Sequence, residues 1–225
     1  MPAESSEFLG RLRDRTGTQR KGVRIVRGKI DDREIEVFHT GVGENVCRQQ
    51  VGKFLQDQQF DLLISSGFAG ALNDQLQVGD LLMARNFSTI ALADKYSSLF
   101  SSPFRLADLL TMPALIDSNE EREKIARISD AAAVDMETEF IARACAAHGV
   151  PLLSLRVITD TPHQPFPAPM KVLFDMERQR TDYRQLFSHV LKNPATLWRL
   201  LRFGIGVAHA RTALTEAIVH LVRHV

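Results

Sequence analysis

No apolar run in this 225-residue chain reaches the roughly 18–20 residues that a membrane-spanning helix requires. The opening MPAESSEFLGRLRDR has no apolar core of the kind a secretory signal carries, so the sequence reads as cytoplasmic. Cysteine is nearly absent. Cys47 and Cys145 lie far apart, each in an apolar helical pattern, and read as buried free thiols rather than a disulfide, which suits a reducing compartment. The seven histidines are scattered without HxxxH or HxH spacing, so no metal site is expected. An excess of charge of one sign is missing too: 28 Lys and Arg against 27 Asp and Glu leave a formal net charge of +1. Nothing global therefore calls for nucleic acid as a partner. Internal repeats and low-complexity tracts are also lacking.

What is present alternates. Apolar runs rich in Val, Ile and Leu predict strands at 23–30 and 33–40, joined as a hairpin through Asp31-Asp32, and at 60–66, 79–87, 131–135 and 151–160. Helical spacing separates most of them, over 44–58, 118–128 (opened by a Ser118 cap) and 136–149 (closed by His148-Gly149). Strands alternating with helices predict an α/β fold around a largely parallel sheet, which the early hairpin makes mixed. The connection from Ser88 to Asp117 is long enough to expect a functional or mobile loop. After Asp160 the stretch TPHQPFPAP (161–169) cannot be a regular helix or central strand. Helices over 175–192, 195–208 and 209–224 then finish the chain. The expected organisation is an α/β domain over 1–170 with a helical extension, 171–225, packed on it. In the middle tail helix Leu197, Leu200, Leu201, Gly204, Ile205 and Ala208 share a face opposite Arg199 and Arg202. Such a face packs on the sheet or a partner subunit, or lies on a membrane surface as a peripheral contact.

Four polar or glycine-rich signals fall at predicted strand ends: Gly41-Val42-Gly43, Ser65 to Gly70, Asp135-Met136-Glu137 and Thr159-Asp160. That edge is where open α/β sheets form their ligand crevice. Each also has a plainer reading. Gly41 and Gly43 serve a tight turn as well as a phosphate or ribose cradle. Gly67 and Gly70 permit close packing, and Asp160 can cap a turn before Pro162. Asp135 reads as an N-cap, and Glu139, four residues before Arg143, as half of an exposed pair. Glu137 differs, because at helical spacing it shares a face with Ile141, Ala144 and Cys145. A carboxylate heading a buried stripe needs a partner, so Glu137 is expected to point into a polar cavity and bind ligand.

LISSGFAGALNDQLQVGDLLMARNF, AVDMETEFIARACAAHGVPLLSLRVITD and the spacing between them resemble the purine nucleoside phosphorylase and nucleosidase superfamily. The nearest members are the methylthioadenosine/S-adenosylhomocysteine nucleosidases and the hopanoid-associated nucleoside phosphorylases. The likeness covers residues 1–160 and rests on SGxAG, VGD, DMET and RxIxD in that order; the proline-rich stretch and helical tail are similar to the hopanoid-associated group. It implies a three-layer α/β/α sandwich around a mixed sheet, forming a homodimer or larger homo-oligomer. The implied reaction is cleavage of the N-glycosidic bond of a purine nucleoside, by water or by phosphate, without metal or organic cofactor. The resemblance assigns Glu137 to the ribose hydroxyls, Met136 to the sugar face, and Gly67, Phe68 and Ala69 to the base and ribose pocket. It makes Asp160 the acid that protonates the purine and Glu4 the activator of water. Carboxylates beside the ribose suit an oxocarbenium-like transition state, and Asp160 would need a raised pKa to hold its proton.

The chain departs from the family in three places. A strand precedes the early glutamate in the family, whereas here Glu4 follows Met1 closely. Near Ala114–Ile116, where the nucleosidases often carry a base-stacking aromatic, the sequence reads PALID, which leaves stacking to Phe68 or Phe104. No arginine set for phosphate stands out. These departures keep a second expectation open, a catalytically degenerate member that binds nucleosides or a membrane surface.

Overall fold

The computed structural model describes residues 2–100, 104–113, 116, 118–168, 172 and 183–225. The predicted helical stretch 175–182, the PALID positions 114, 115 and 117, and the boundary at 170/171 lie outside the described residues. Helix α1 (Pro2–Arg11) opens the chain, followed by an antiparallel sheet of β1 (Arg13–Arg20), β2 (Val23–Ile30) and β3 (Arg33–Phe38). In β2, Val23 and Ile25 are buried on one face and Ile30, of opposite parity, on the other. Asp31 takes the left-handed conformation (φ 51°) in the predicted hairpin turn. Strand β1, RDRTGTQR, is exposed along nearly its whole length and carries no apolar signal. It exists because β2 offers it a ladder of backbone hydrogen bonds.

The second sheet holds β4 (Leu63–Ala71), β5 (Leu81–Ala84), β6 (Phe104–Ala107), β7 (Leu109–Thr111), β8 (Ala133–Asp135) and β9 (Leu152–Asp160), in the order β6-β5-β9-β4-β8-β7. It is mixed: β4 runs parallel to β9, and β8 runs antiparallel to β4. Every residue of β9 is buried at the sheet centre, its polar Ser154, Arg156, Thr159 and Asp160 included. The two ends of the order are consecutive in the chain, with only Asp108 between β6 and β7, so the sheet is drawn round on itself. The stretch from Ser88 to Asp117 is thus not a structureless loop; it contains α3 (Ile90–Ser97), β6 and β7.

Helices α2 (Glu44–Leu55) and α5 (Thr138–His148) pack together through Cys47, Val51, Phe54, Leu55, Ile141 and Cys145. Both cysteines are buried and free, as expected. Helix α4 (Asn119–Ser129) has the predicted Ser118 cap, whose side chain accepts from the Glu121 amide at 3.1 Å. Gly149 ends α5 in the left-handed conformation (φ 66°). The tail comprises α6 (Tyr183–Lys192) and α7 (Ala195–His224). Two tail helices expected at 195–208 and 209–224 are one continuous helix, since no proline or capping residue interrupts His209 or its neighbours. The second half of α7 supplies Ala210, Leu214, Ile218, Leu221 and Val222 to a core shared with Met83, Leu153, Leu155 and Val157. No helix among the described residues is long and apolar enough to cross a membrane. The architecture is the expected one: α/β, with a mixed central sheet flanked by helices and a helical C-terminal extension.

Candidate active site

The helical phase that set Glu137 apart has a structural counterpart. Glu137 is half-buried at the head of α5, and its Oε1 accepts a hydrogen bond from the Gly43 amide at 3.0 Å. Gly43 is the N-cap residue of α2, and both it (φ 90°) and Gly41 (φ 78°) occupy backbone conformations that side chains disfavour. The glycine turn after β3 thereby meets the end of β8, joining the two sheets. Burial pushes the Glu137 carboxyl above its ordinary range, with the Gly43 amide acting against it. Met136 beside it is buried.

Asp135 is more than a helix cap. Glu137 occupies the N-cap position, and Asp135, two residues earlier, is buried in an ion pair with Arg156 of β9, Nε to Oδ2 at 3.0 Å. Its carboxylate also accepts from the Thr138 amide, the Thr138 hydroxyl and the Thr111 hydroxyl, the last at 2.8 Å. Arg156 is fully engaged as well, donating to the Ser65 carbonyl (3.0 Å), the Ser65 hydroxyl (2.9 Å) and Thr138. This network fixes the end of β8, and hence Glu137, against the centre of the sheet. Glu139 pairs with Arg143, as its spacing predicts.

Asp160 ends β9 and is only 2% exposed. It pairs with Arg122 of α4, itself buried, and the Thr159 hydroxyl donates to its Oδ1 at 3.2 Å. Arg122 is anchored further by the Ala71 carbonyl (2.8 Å) and the Ile116 carbonyl (3.4 Å). Burial raises the Asp160 carboxyl above the usual range, and the Arg122 guanidinium opposes that rise. Gly70 must be glycine here: a Cβ would lie 2.7 Å from Asp160 Oδ2 and 3.2 Å from Arg122 Nη1. A cavity of about 510 Å³ opens beside this strand end, lined by Thr161, Gln164, Leu76, Val78, Arg202 and Ile205 among others.

Not all of the expected strand-end signals lie at strand ends. Ser65 to Gly70 belong to β4 itself rather than to a loop beyond it, because the pairing with β9 continues through Asp160. Gly67 is paired with Arg156, and Phe68 packs in the core cluster under α7. Ala69 is buried against Ile158 and Ala84. Phe104 joins the same cluster as Phe68 and stacks on Phe100 at 4.7 Å. Although β8 runs antiparallel to β4, its pair Val134–Gly70 brings Asp135 within one residue of the level of Gly70, beside which Asp160 lies. Glu4 lies in the first turn of α1, where the neighbouring Ser5 hydroxyl lies 2.6 Å from His39 Nε2 at the end of β3.

Sequence reasoning missed two arginines. Arg156 was visible only as the first letter of RxIxD. Arg122 shares a helical face with Ile125, so the phase test that singled out Glu137 would have found it. No cluster of three or more His, Cys, Asp or Glu able to hold a metal occurs among the described residues.

The solved structures similar to this one include a 5′-methylthioadenosine/S-adenosylhomocysteine nucleosidase from S. pneumoniae, with a TM-score of 0.73, 18% identity, and coverage of 98% of this chain and 94% of that one. The futalosine hydrolase of Helicobacter pylori matches with a TM-score of 0.72 and 18% identity over 100% and 95% of the two chains. Among sequence relatives, a 5′-methylthioadenosine/S-adenosylhomocysteine nucleosidase of Glaesserella parasuis is 25% identical over 189 residues, 71% of this chain and 82% of the relative. The phosphorylase superfamily model matches residues 1–108 and 102–192, together most of the length. By that match, the chain belongs to the phosphorylase superfamily.

Proposed function

We propose that the protein cleaves the N-glycosidic bond of a purine nucleoside, with water or phosphate taking the ribosyl group. The observation that carries this reading is Asp160: a buried carboxyl raised above its ordinary range, at a strand end that leads directly into Thr161 on the wall of a cavity of about 510 Å³. Its proton goes to the purine as the glycosidic bond breaks, so the base leaves neutral. Glu137, with Met136 beside it, holds the ribose hydroxyls and stabilises the positive charge that develops on the sugar. Gly67, Phe68 and Ala69, all within β4, support the site from the sheet rather than from the lining of the cavity. Glu4 activates water in the hydrolytic version.

The relatives named for 5′-methylthioadenosine and S-adenosylhomocysteine support a 5′-substituted adenosine as substrate. The tail, similar to that of the hopanoid-associated phosphorylases, supports a bulky 5′ group, and the family resemblance supports a homo-oligomer. Chromatography of adenosine, methylthioadenosine and inosine incubated with the protein, with and without phosphate, reads out free base directly. Base released in either condition is the expected result. Pure folded protein that releases none from any of them overturns the reading.

One observation favours a second reading. The Arg122 guanidinium closed on Asp160 resists the protonation that catalysis needs, as in a nucleoside-binding member that no longer turns over. Ligand-induced stabilisation in a thermal melt, without base release, would select it.

A further inference from the structure

The first half of α7 carries its apolar side chains outward. Leu197, Leu201 and Ile205 are each more than half exposed, and Trp198 is 77% exposed. Phe187 and Leu191, one turn apart on α6, are 66% exposed each. At about 100° per residue, Leu197, Leu201, Ile205 and Trp198 fall within one arc of roughly 100°, bordered by Arg202 and then Arg199. The other side of the helix holds it to the body: Thr196 is buried, and the Phe203 ring sits 5.3 Å from that of Phe166. The expectation that Leu197, Leu201 and Ile205 pack on the sheet is therefore not met.

The charge around the stripe says what covers it. From Leu186 to Thr215 there is no Asp or Glu, while Lys192, Arg199, Arg202 and Arg211 are all present. Arg211 turns to Glu7 on α1; Arg199 and Arg202 are exposed on the same helix as the apolar row, and Lys192 is exposed next to Leu191 at the end of α6. A second copy docked symmetrically on this face would set those cations against their own counterparts, with no carboxylate in the stretch to meet them. An apolar stripe with an outward tryptophan, edged by arginine and lysine, matches the boundary between anionic headgroups and acyl chains. No helix among the described residues is long and apolar enough to cross a bilayer, so this orientation sets the stripe in the plane of the surface.

We propose that α6 and the first half of α7 form a docking surface for an anionic lipid bilayer. Arg202 and Ile205 belong both to this surface and to the wall of the cavity beside Thr161. Docking therefore turns the mouth of that cavity toward the membrane.

The test is sedimentation of the full chain with phosphatidylcholine vesicles, with and without phosphatidylserine. Binding to the anionic vesicles is expected to exceed binding to the neutral ones by about a hundredfold for three surface cations, and to weaken with salt. A double variant, Trp198→Gln with Leu201→Gln, and a second, Arg199→Glu with Arg202→Glu, should each lower it by at least about tenfold. All four side chains are exposed, so the thermal melts should stay at the wild-type value. Sedimentation that is the same with and without vesicles overturns the proposal, as does binding indifferent to phosphatidylserine. So does a concentration-dependent dimer in analytical ultracentrifugation that the Trp198→Gln/Leu201→Gln variant abolishes, because the stripe then belongs to a second copy.

Discussion

Two carboxyls carry the proposed site, Asp160 buried and Glu137 half-buried, and their neighbours set them different tasks. Asp160 is pushed up by burial and held down by Arg122, so the arginine tunes how long the acid keeps its proton as pH rises. If the acid form is the active one, base release falls as pH climbs through the raised pKa. Replacing Arg122 with Met removes the opposing influence and moves that alkaline limb to higher pH. The stability loss should stay below the roughly 3–5 kcal/mol of a stranded buried charge, because Asp160 can take a proton instead. Initial rates of base release across pH, beside urea unfolding of both proteins, check this; an unmoved limb refutes it. Glu137 makes a linkage prediction. Its folded pKa is raised, so the stability that its proton confers is complete below the ordinary carboxylate range and is lost as pH rises through the folded pKa. Glu137→Gln keeps an acceptor for the Gly43 amide and removes the titration. The variant should lose less stability than wild type as pH rises from acid to neutral, measured by urea midpoints, while its activity falls. The inward phase of Glu137 was legible because helical spacing is a local property. The Arg122–Asp160 and Arg156–Asp135 pairs were not, since each joins residues from separate elements whose meeting depends on strand order.

Helix α7 shows what an element can carry at one end and not the other. Its second half is core, with Leu221 fully buried under β9 and α1, and its first half presents Leu201 to solvent. The same Leu→Ala change should therefore cost about 2–5 kcal/mol at Leu221 and within about 0.5 kcal/mol of nothing at Leu201. Chemical denaturation of the two variants reads the difference, and equal losses would show that the two halves of α7 are buried alike. Sequence periodicity finds the apolar row in both halves and cannot say which is covered. Elements with local signals were legible: the Ser118 cap, the Gly149 stop and the β2–β3 hairpin each depend on residues within one or two turns. Strand β1 was not, because none of its eight residues is apolar and only its ladder with β2 identifies it. Strand β4 ran past its expected end for a related reason. Glycines at 67 and 70 read as a strand end, but parallel pairing with β9 accommodates them and Asp160 requires the second.

At the scale of the whole molecule, the sheet's direction of travel decides where the site lies. Sequence order supplied the alternation of strands and helices, and so the α/β class, but not that β8 runs antiparallel to β4. That reversal sets Val134 and Asp160 on either side of Gly70, so the chain running on to Asp135 and Glu137 enters from the opposite direction beside the Asp160 end of the sheet. Strands β6 and β7 are one run of chain interrupted at Asp108, paired at opposite ends of the order. Asn86, in the turn after β5, spans the interruption: its Nδ2 donates to the Leu109 carbonyl at 2.9 Å and its Oδ1 accepts from the Leu109 amide at 3.0 Å. The side chain thus stands in for a missing strand partner at the point where the sheet turns back on itself. Asn86→Ala leaves both half-buried backbone groups of Leu109 without that partner, a loss of about 1–3 kcal/mol. For a chain of this size that lowers the melting temperature by roughly 2–12 °C. The damage should be directional. Amide exchange should quicken at Leu109, Leu110 and Val134 of β7 and β8 more than at Leu155 and Val157 of β9, because β9 keeps both its neighbours. Base release should drop with it, since β8 delivers Glu137. Uniform quickening across both strand pairs would mean that Asn86 supports global stability and leaves the closure of the sheet to other contacts.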